Sequence, residues 1–93
     1  MAIVSFHCAE TQTLFVTGQS RRFANFKSVA MRKLAQLDAA PTLLFLMMPP
    51  GNRLEKLSGD REGQYSIRIN DQWRVCFVWT ERGPAQVEIA DYH

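Results

Sequence analysis

Two cysteines, Cys8 and Cys76, are all that this 93-residue chain contains. They are too few for the disulfide framework that staples a small secreted domain. No CxxC pair exists to begin a zinc site, and the adjacent His7 and Cys8 cannot build a tetrahedral centre between them. Both thiols are expected to be reduced packing residues, and neither metal nor cofactor is expected. Long apolar runs are missing too. The longest strongly apolar stretch, Leu43 to Met48, is far too short to cross a bilayer. The opening residues, MAIVSFHCAE, lack the basic start and apolar core of a signal peptide. The expected location is the cytoplasm, with no membrane partner. A large charge excess is also lacking: eleven Lys and Arg against nine Asp and Glu leave a net charge of +2. That balance permits a nucleic-acid partner without arguing for one, so the placement of the cations matters more than their sum.

The chain shows no repeat, low-complexity tract or linker, and its length suits one domain, residues 1–93. A hydrophobic fraction of 46% is ordinary for a globular protein and excludes a disordered one. Residues 2–7 are short, apolar and partly β-branched, which predicts a strand. Residues 9–17 predict a short helix closed by Gly18. From 20 to 38 the period is helical, with Phe23, Phe26, Ala30, Leu34 and Leu37 on one stripe. Ser20 is the expected N-cap, and Pro41 marks a break. Leu43 to Met48 reads equally as packed core or as partner contact. Pro49-Pro50-Gly51-Asn52 is a stiff loop.

The last third alternates as strands do. Tyr65, Ile67 and Ile69 form one apolar row, followed by Trp73, Val75, Phe77 and Trp79, then Val87 and Ile89. Turns are expected at Asn70-Asp71 and Gly83-Pro84. The predicted fold is α+β: an N-terminal strand and two helices packed on one face of an antiparallel-rich sheet. If Ile67, Val75 and Ile89 face the helices, then Arg68, Arg74 and Tyr92 face away, on an open side. Asp91 and His93 have the inward parity but end the chain, and their direction stays open. The loop from Arg53 to Arg61 enters the same edge, carrying Glu55 and Lys56. That collection suits RNA cleavage without a metal. A 2′-hydroxyl must lose a proton, a leaving 5′-oxygen must gain one, and phosphoryl charge must be neutralised. Glu55, Asp91, Tyr92 or His93 could move protons, and the planar fork of Arg74 could hold phosphate at two points.

The run Pro49-Pro50-Gly51-Asn52-Arg53-Leu54-Glu55-Lys56-Leu57-Ser58-Gly59-Asp60-Arg61-Glu62-Gly63 resembles HigB-type toxins of the RelE superfamily. So do the stretch from Tyr65 to Phe77 and the closing Asp91-Tyr92-His93. The resemblance implies a RelE-like ribonuclease fold and a toxin of a type II toxin–antitoxin system. It implies mRNA cleavage on the 70S ribosome and neutralisation by a helix-turn-helix, HigA-like antitoxin, with operator DNA met only through that antitoxin. It further implies a catalytic set of Arg74, Asp91, Tyr92 and His93, and a basic RNA- and ribosome-binding face that includes Lys56, Arg61 and Arg68, to which the edge position of Arg53 adds a fourth cation. Glu55 stands where some relatives carry histidine, and an exposed carboxylate is a weak base at its ordinary pKa. Alternatively, then, the chain is a catalytically weak member that acts with its antitoxin as a transcriptional autoregulator. The third reading, from a different class, is an interaction domain whose basic face meets an acidic partner.

Overall fold

In the computed structural model, which describes residues 2–91, the alternating last third folds as an antiparallel meander. Its strands are β1 (Glu55–Lys56), β2 (Tyr65–Arg68), β3 (Trp73–Thr80) and β4 (Gly83–Asp91), in that spatial order. Short connections leave neighbouring strands no other way to pair. Two helices, α1 (Ala9–Thr17) and α2 (Lys27–Ala39), cover one face. The α+β architecture is therefore the one the patterning predicts.

Side-chain and backbone chemistry shift the boundaries. The β2–β3 connection exceeds two residues, because the last ladder pair is Arg68 with Arg74. Asn70 stands in for the missing glycine: its Oδ1 accepts from the backbone N–H groups of Gln72 (2.9 Å) and Trp73 (2.8 Å). The second turn falls at Glu81-Arg82 rather than Gly83-Pro84, since Gly83 already pairs with Thr80. The Thr80 hydroxyl closes it, donating to the Gly83 carbonyl at 2.6 Å and accepting from Arg82 N–H at 3.2 Å.

The expected N-terminal strand is reduced to one parallel bridge, Phe6 with Val87. The segment still runs along β4: Val4 N–H donates to Pro84 O (2.7 Å), His7 N–H to Val87 O (3.0 Å) and Val87 N–H to Ser5 O (3.1 Å). A bulge in β4 interrupts the ladder there. Gln86 has φ 52, the β3–β4 register shifts between Cys76 and Val78, and Gln86 N–H turns to Ser5 Oγ instead.

The long helix also starts later than its stripe. Ser20 Oγ does accept from Phe23 N–H at 3.0 Å, but it closes a turn. Ala24–Phe26 is a 3-10 segment, and α geometry begins at Lys27. Two phenylalanines three apart suit a three-residue turn that brings both to one side. There Phe23 and Phe26 meet Trp73, with ring centroids 5.8 and 5.2 Å away. Ala30, Leu34 and Leu37 then bury completely against Ile67, Val75, Phe77, Val87 and Ile89.

Leu43 to Met48 divides between its two readings. Leu46 is fully buried, whereas Leu44, Met47 and Met48 are 70%, 59% and 75% exposed along a 3-10 turn, Leu44–Met47. Among the described residues no helix is long and apolar enough to cross a membrane.

Candidate active site

The sheet face away from the helices is not the open surface that alternation suggests. Leu57, Cys76 and Ala90 form a second small core there. The chain from Leu57 to Gln64 folds back over it, held by Leu57 N–H on Gln64 O at 2.8 Å. Arg74 lies in this layer with only 7% of its surface exposed. Its expected solvation is therefore corrected: β1 and the following loop cover what would otherwise be a bare strand.

A buried guanidinium must be hydrogen-bonded, and Arg74 is. Its Nε donates to Ser66 Oγ at 2.7 Å, and its Nη2 donates to the Arg53 carbonyl at 2.6 Å and to the Ser66 carbonyl at 3.4 Å. Ser66 is two residues along β2 from the cross-strand partner of Arg74, a diagonal within reach of a long side chain. Arg53 presents its carbonyl from a left-handed backbone, φ 44 and ψ 56. The Nη1 edge faces Glu55, whose Oε1 lies 3.9 Å away on a half-exposed side chain.

The other expected residues spread around this centre. Arg68 is the cross-strand neighbour of Arg74 and pairs with Asp71. Arg61 reaches across the same face to Glu88, 2.8 Å away, and to Gln64 Oε1 at 3.1 Å. Lys56 is exposed on β1, with the opposite parity to Glu55. The Arg53 side chain is exposed, so only its carbonyl touches Arg74. Asp91 is exposed at the end of β4, where its Oδ2 accepts from Gln72 Nε2 at 3.0 Å. Its register partner is Trp73, which gives it the helix-side parity rather than that of Arg74. Tyr92 and His93 lie outside the described residues. The structure thus brings Arg74 and Glu55 together, lines Arg61 and Arg68 along the same face, and leaves Lys56 and Asp91 at the rim.

Beneath the site, burial pushes the Cys76 thiol up, against the opposing pull of Arg61 and Arg74. A raised thiol is a poor nucleophile at neutral pH, which agrees with a packing role. Both cysteines are free. Two hollows, about 210 and 280 Å³, flank α1 near Glu10 and Thr17 respectively, and no expected site residue lines either. Among the described residues no group of three His, Cys, Asp or Glu side chains gathers as a metal site would require.

Sequence reasoning missed two features. Ser66 is fully buried and holds Arg74; only its small hydroxyl between apolar strand neighbours hinted at a partner. Asn52, read as loop, is also fully buried. It accepts from Lys33 Nζ and donates Nδ2 to Gln36 Oε1 and to Leu46 O, both at 3.1 Å. That bolt fixes the Pro50–Asn52 turn to α2 and so places Arg53.

Comparison with known proteins identifies the family and the fold. Residues 9–93 match the family model for HigB-like toxins, described as the RelE-like toxin of the type II toxin–antitoxin system HigB. Toxin HigB-1 of Vibrio cholerae is 43% identical over 58 residues, 62% of this chain and 61% of that protein. An uncharacterized Haemophilus influenzae protein is 36% identical over 56 residues, 60% of this chain and 55% of its own. The aligned stretch thus spans about three fifths of the curated relatives' length. Among solved structures, a YoeB–YefM complex from Staphylococcus aureus matches 100% of this chain and 99% of its own, with a TM-score of 0.57. At 16% identity that likeness is one of fold.

Proposed function

This chain belongs to the HigB-like, RelE-like toxins of type II toxin–antitoxin systems, and from that membership we propose that it is a metal-independent endoribonuclease acting on mRNA in the cytoplasm. The observation that carries the reading is the meeting of Arg74 with Glu55, 3.9 Å apart, on the sheet face opposite the helices. In the reaction, Glu55 takes the proton of a ribose 2′-hydroxyl, and the 2′-oxygen forms a bond to the adjacent phosphorus. The bond from phosphorus to the 5′-oxygen breaks, giving a 2′,3′-cyclic phosphate and a 5′-hydroxyl. Arg74 neutralises charge building on the phosphoryl oxygens. The proton for the leaving oxygen comes from the carboxy-terminal set Asp91, Tyr92 and His93. Arg53, Lys56, Arg61 and Arg68 supply cations for the phosphate backbone. The substrate is presented on the 70S ribosome, and the partner that silences the toxin is a HigA-like helix-turn-helix antitoxin, which alone meets operator DNA.

One observation favours the weaker-enzyme alternative, in which toxin and antitoxin act as a transcriptional autoregulator. Arg74 is 7% exposed, and its Nε and Nη2 already donate to protein acceptors. Cleavage mapping on purified ribosomes separates the readings. The nuclease reading expects cut transcripts, with Arg74→Ala and Glu55→Gln each lowering the rate by about 10²–10⁴. Intact transcripts, or a folded Arg74→Ala protein cutting at the wild-type rate, overturn it.

A further inference from the structure

We propose that Ser66, together with the main-chain carbonyl of Arg53, is a built cradle that fixes the plane of the Arg74 guanidinium and turns its Nη1 edge toward Glu55. Ser66 is then a positioning residue of the site, and Arg53 acts through its backbone as well as its charge. The inference rests on the reading of Arg74 as the phosphate-holding group.

Four observations carry it. Ser66 is completely buried, and its hydroxyl accepts the Nε–H of Arg74 at 2.7 Å. The Arg53 carbonyl accepts from Nη2 at 2.6 Å, so acceptors on two different nitrogens define the plane of a rigid fork. Arg53 holds φ 44, a left-handed conformation that a residue bearing a Cβ adopts at a cost. The fully buried Asn52 beside it is bonded to α2 and to Leu46, which holds that conformation in place.

Stability alone does not explain this arrangement. Burying a guanidinium is expensive, and an apolar pair of similar volume would pack at less cost. The expense is reasonable where a charge must be presented in one orientation, because catalysis favours donors already aimed before substrate arrives. Hydroxyl and carbonyl acceptors also suit the task better than a carboxylate would. They orient the cation without adding a negative charge of their own. The half-exposed Glu55 stands 3.9 Å from Nη1, on the edge that the cradle leaves facing outward.

Ribosome-programmed cleavage by Ser66→Ala, Ser66→Thr and Arg74→Ala proteins tests the cradle, alone and in combination. Loss of the hydroxyl frees the guanidinium to turn, and misplacement of about 1 Å costs on the order of 10²-fold in rate. Ser66→Ala is expected to fall by roughly 10–100-fold, and Ser66→Thr, which keeps the oxygen, to recover most of that loss. In an Arg74→Ala background, Ser66→Ala is expected to cost nothing more, because its effect passes through the missing group. Losses that multiply, or Ser66→Ala cutting at the wild-type rate while Arg74→Ala is inactive, overturn the cradle alone. Arg74→Ala cutting at the wild-type rate overturns the functional reading beneath it. The exchange rate of the Arg74 Nε–H, measured by ¹⁵N NMR on the wild-type protein, decides even where Ser66→Ala does not fold. Slow exchange is expected of a proton held by Ser66, and exchange as fast as that of a solvated arginine overturns the proposal. Arg53→Val, which resists the left-handed backbone, is expected to lose more rate than Arg53→Gly, which accepts it. The reverse order overturns the backbone role of Arg53.

Discussion

Lys33 is a buried lysine that donates a hydrogen bond to a neutral group, Asn52 Oδ1. Burial, and then the charges of Arg32 and Arg68, lower its pKa from the ordinary value. The sign of the consequence follows from proton linkage. Where the folded pKa is depressed, the unfolded chain binds more protons between the two values, and stability rises with pH. The penalty is complete below the folded value. It is relieved as pH climbs through that value toward the ordinary lysine pKa, about 10.4. Urea unfolding of the wild-type protein is therefore expected to show an alkaline rise from this group. Lys33→Met is expected to abolish it while leaving the Asn52 acceptor without its donor, at about 1–3 kcal/mol. Equal pH slopes for both proteins contradict the assignment.

The turn Leu44–Met47 separates burial from hydrophobicity within four residues. Leu46 enters the core, and its carbonyl accepts from Asn52, while Leu44, Met47 and the following Met48 stand in solvent. Leu46→Ala is expected to cost about 2–5 kcal/mol by leaving a cavity. The pair Leu44→Ser and Met48→Ser is expected to stay within about 0.5 kcal/mol of wild type. Thermal unfolding checks both, and comparable losses contradict the placement. The same lesson holds for the residues before α2. A 3,4,4,3 apolar spacing describes which side chains share a face, but the 3-10 start at Ala24–Phe26 came from fitting two rings around Trp73. Spacing cannot report that, because the ring it serves is distant in sequence.

The N-terminal segment and the sheet close on one another across the full length of the chain. Val4, Ser5 and His7 bond to Pro84, Gln86 and Val87, and Ile3 N–H donates to Asp38 Oδ1 at 2.9 Å. Removing residues 2–7 is expected to lower stability by about 3 kcal/mol, since each net hydrogen bond contributes about 1 kcal/mol and ordering entropy offsets part of the sum. A truncated protein that unfolds at the wild-type urea midpoint contradicts this. Helical period and strand alternation settled the two helices, three strands and apolar face, because those signals are local and repeat along the chain, whereas the turn residues misplaced the turn at Glu81-Arg82. The run from Pro49 to Gly63, the Tyr65–Phe77 stretch and the closing Asp91-Tyr92-His93 together indicated the family. Only the tertiary structure decided that Arg74 is buried and that Ser66 and the Arg53 carbonyl grip it. It alone decided that Glu55 meets it while Asp91 stands at the rim. Alternation states which way a side chain points from its own strand. What lies over that side chain depends on a loop arriving from elsewhere, and no period in the sequence records it.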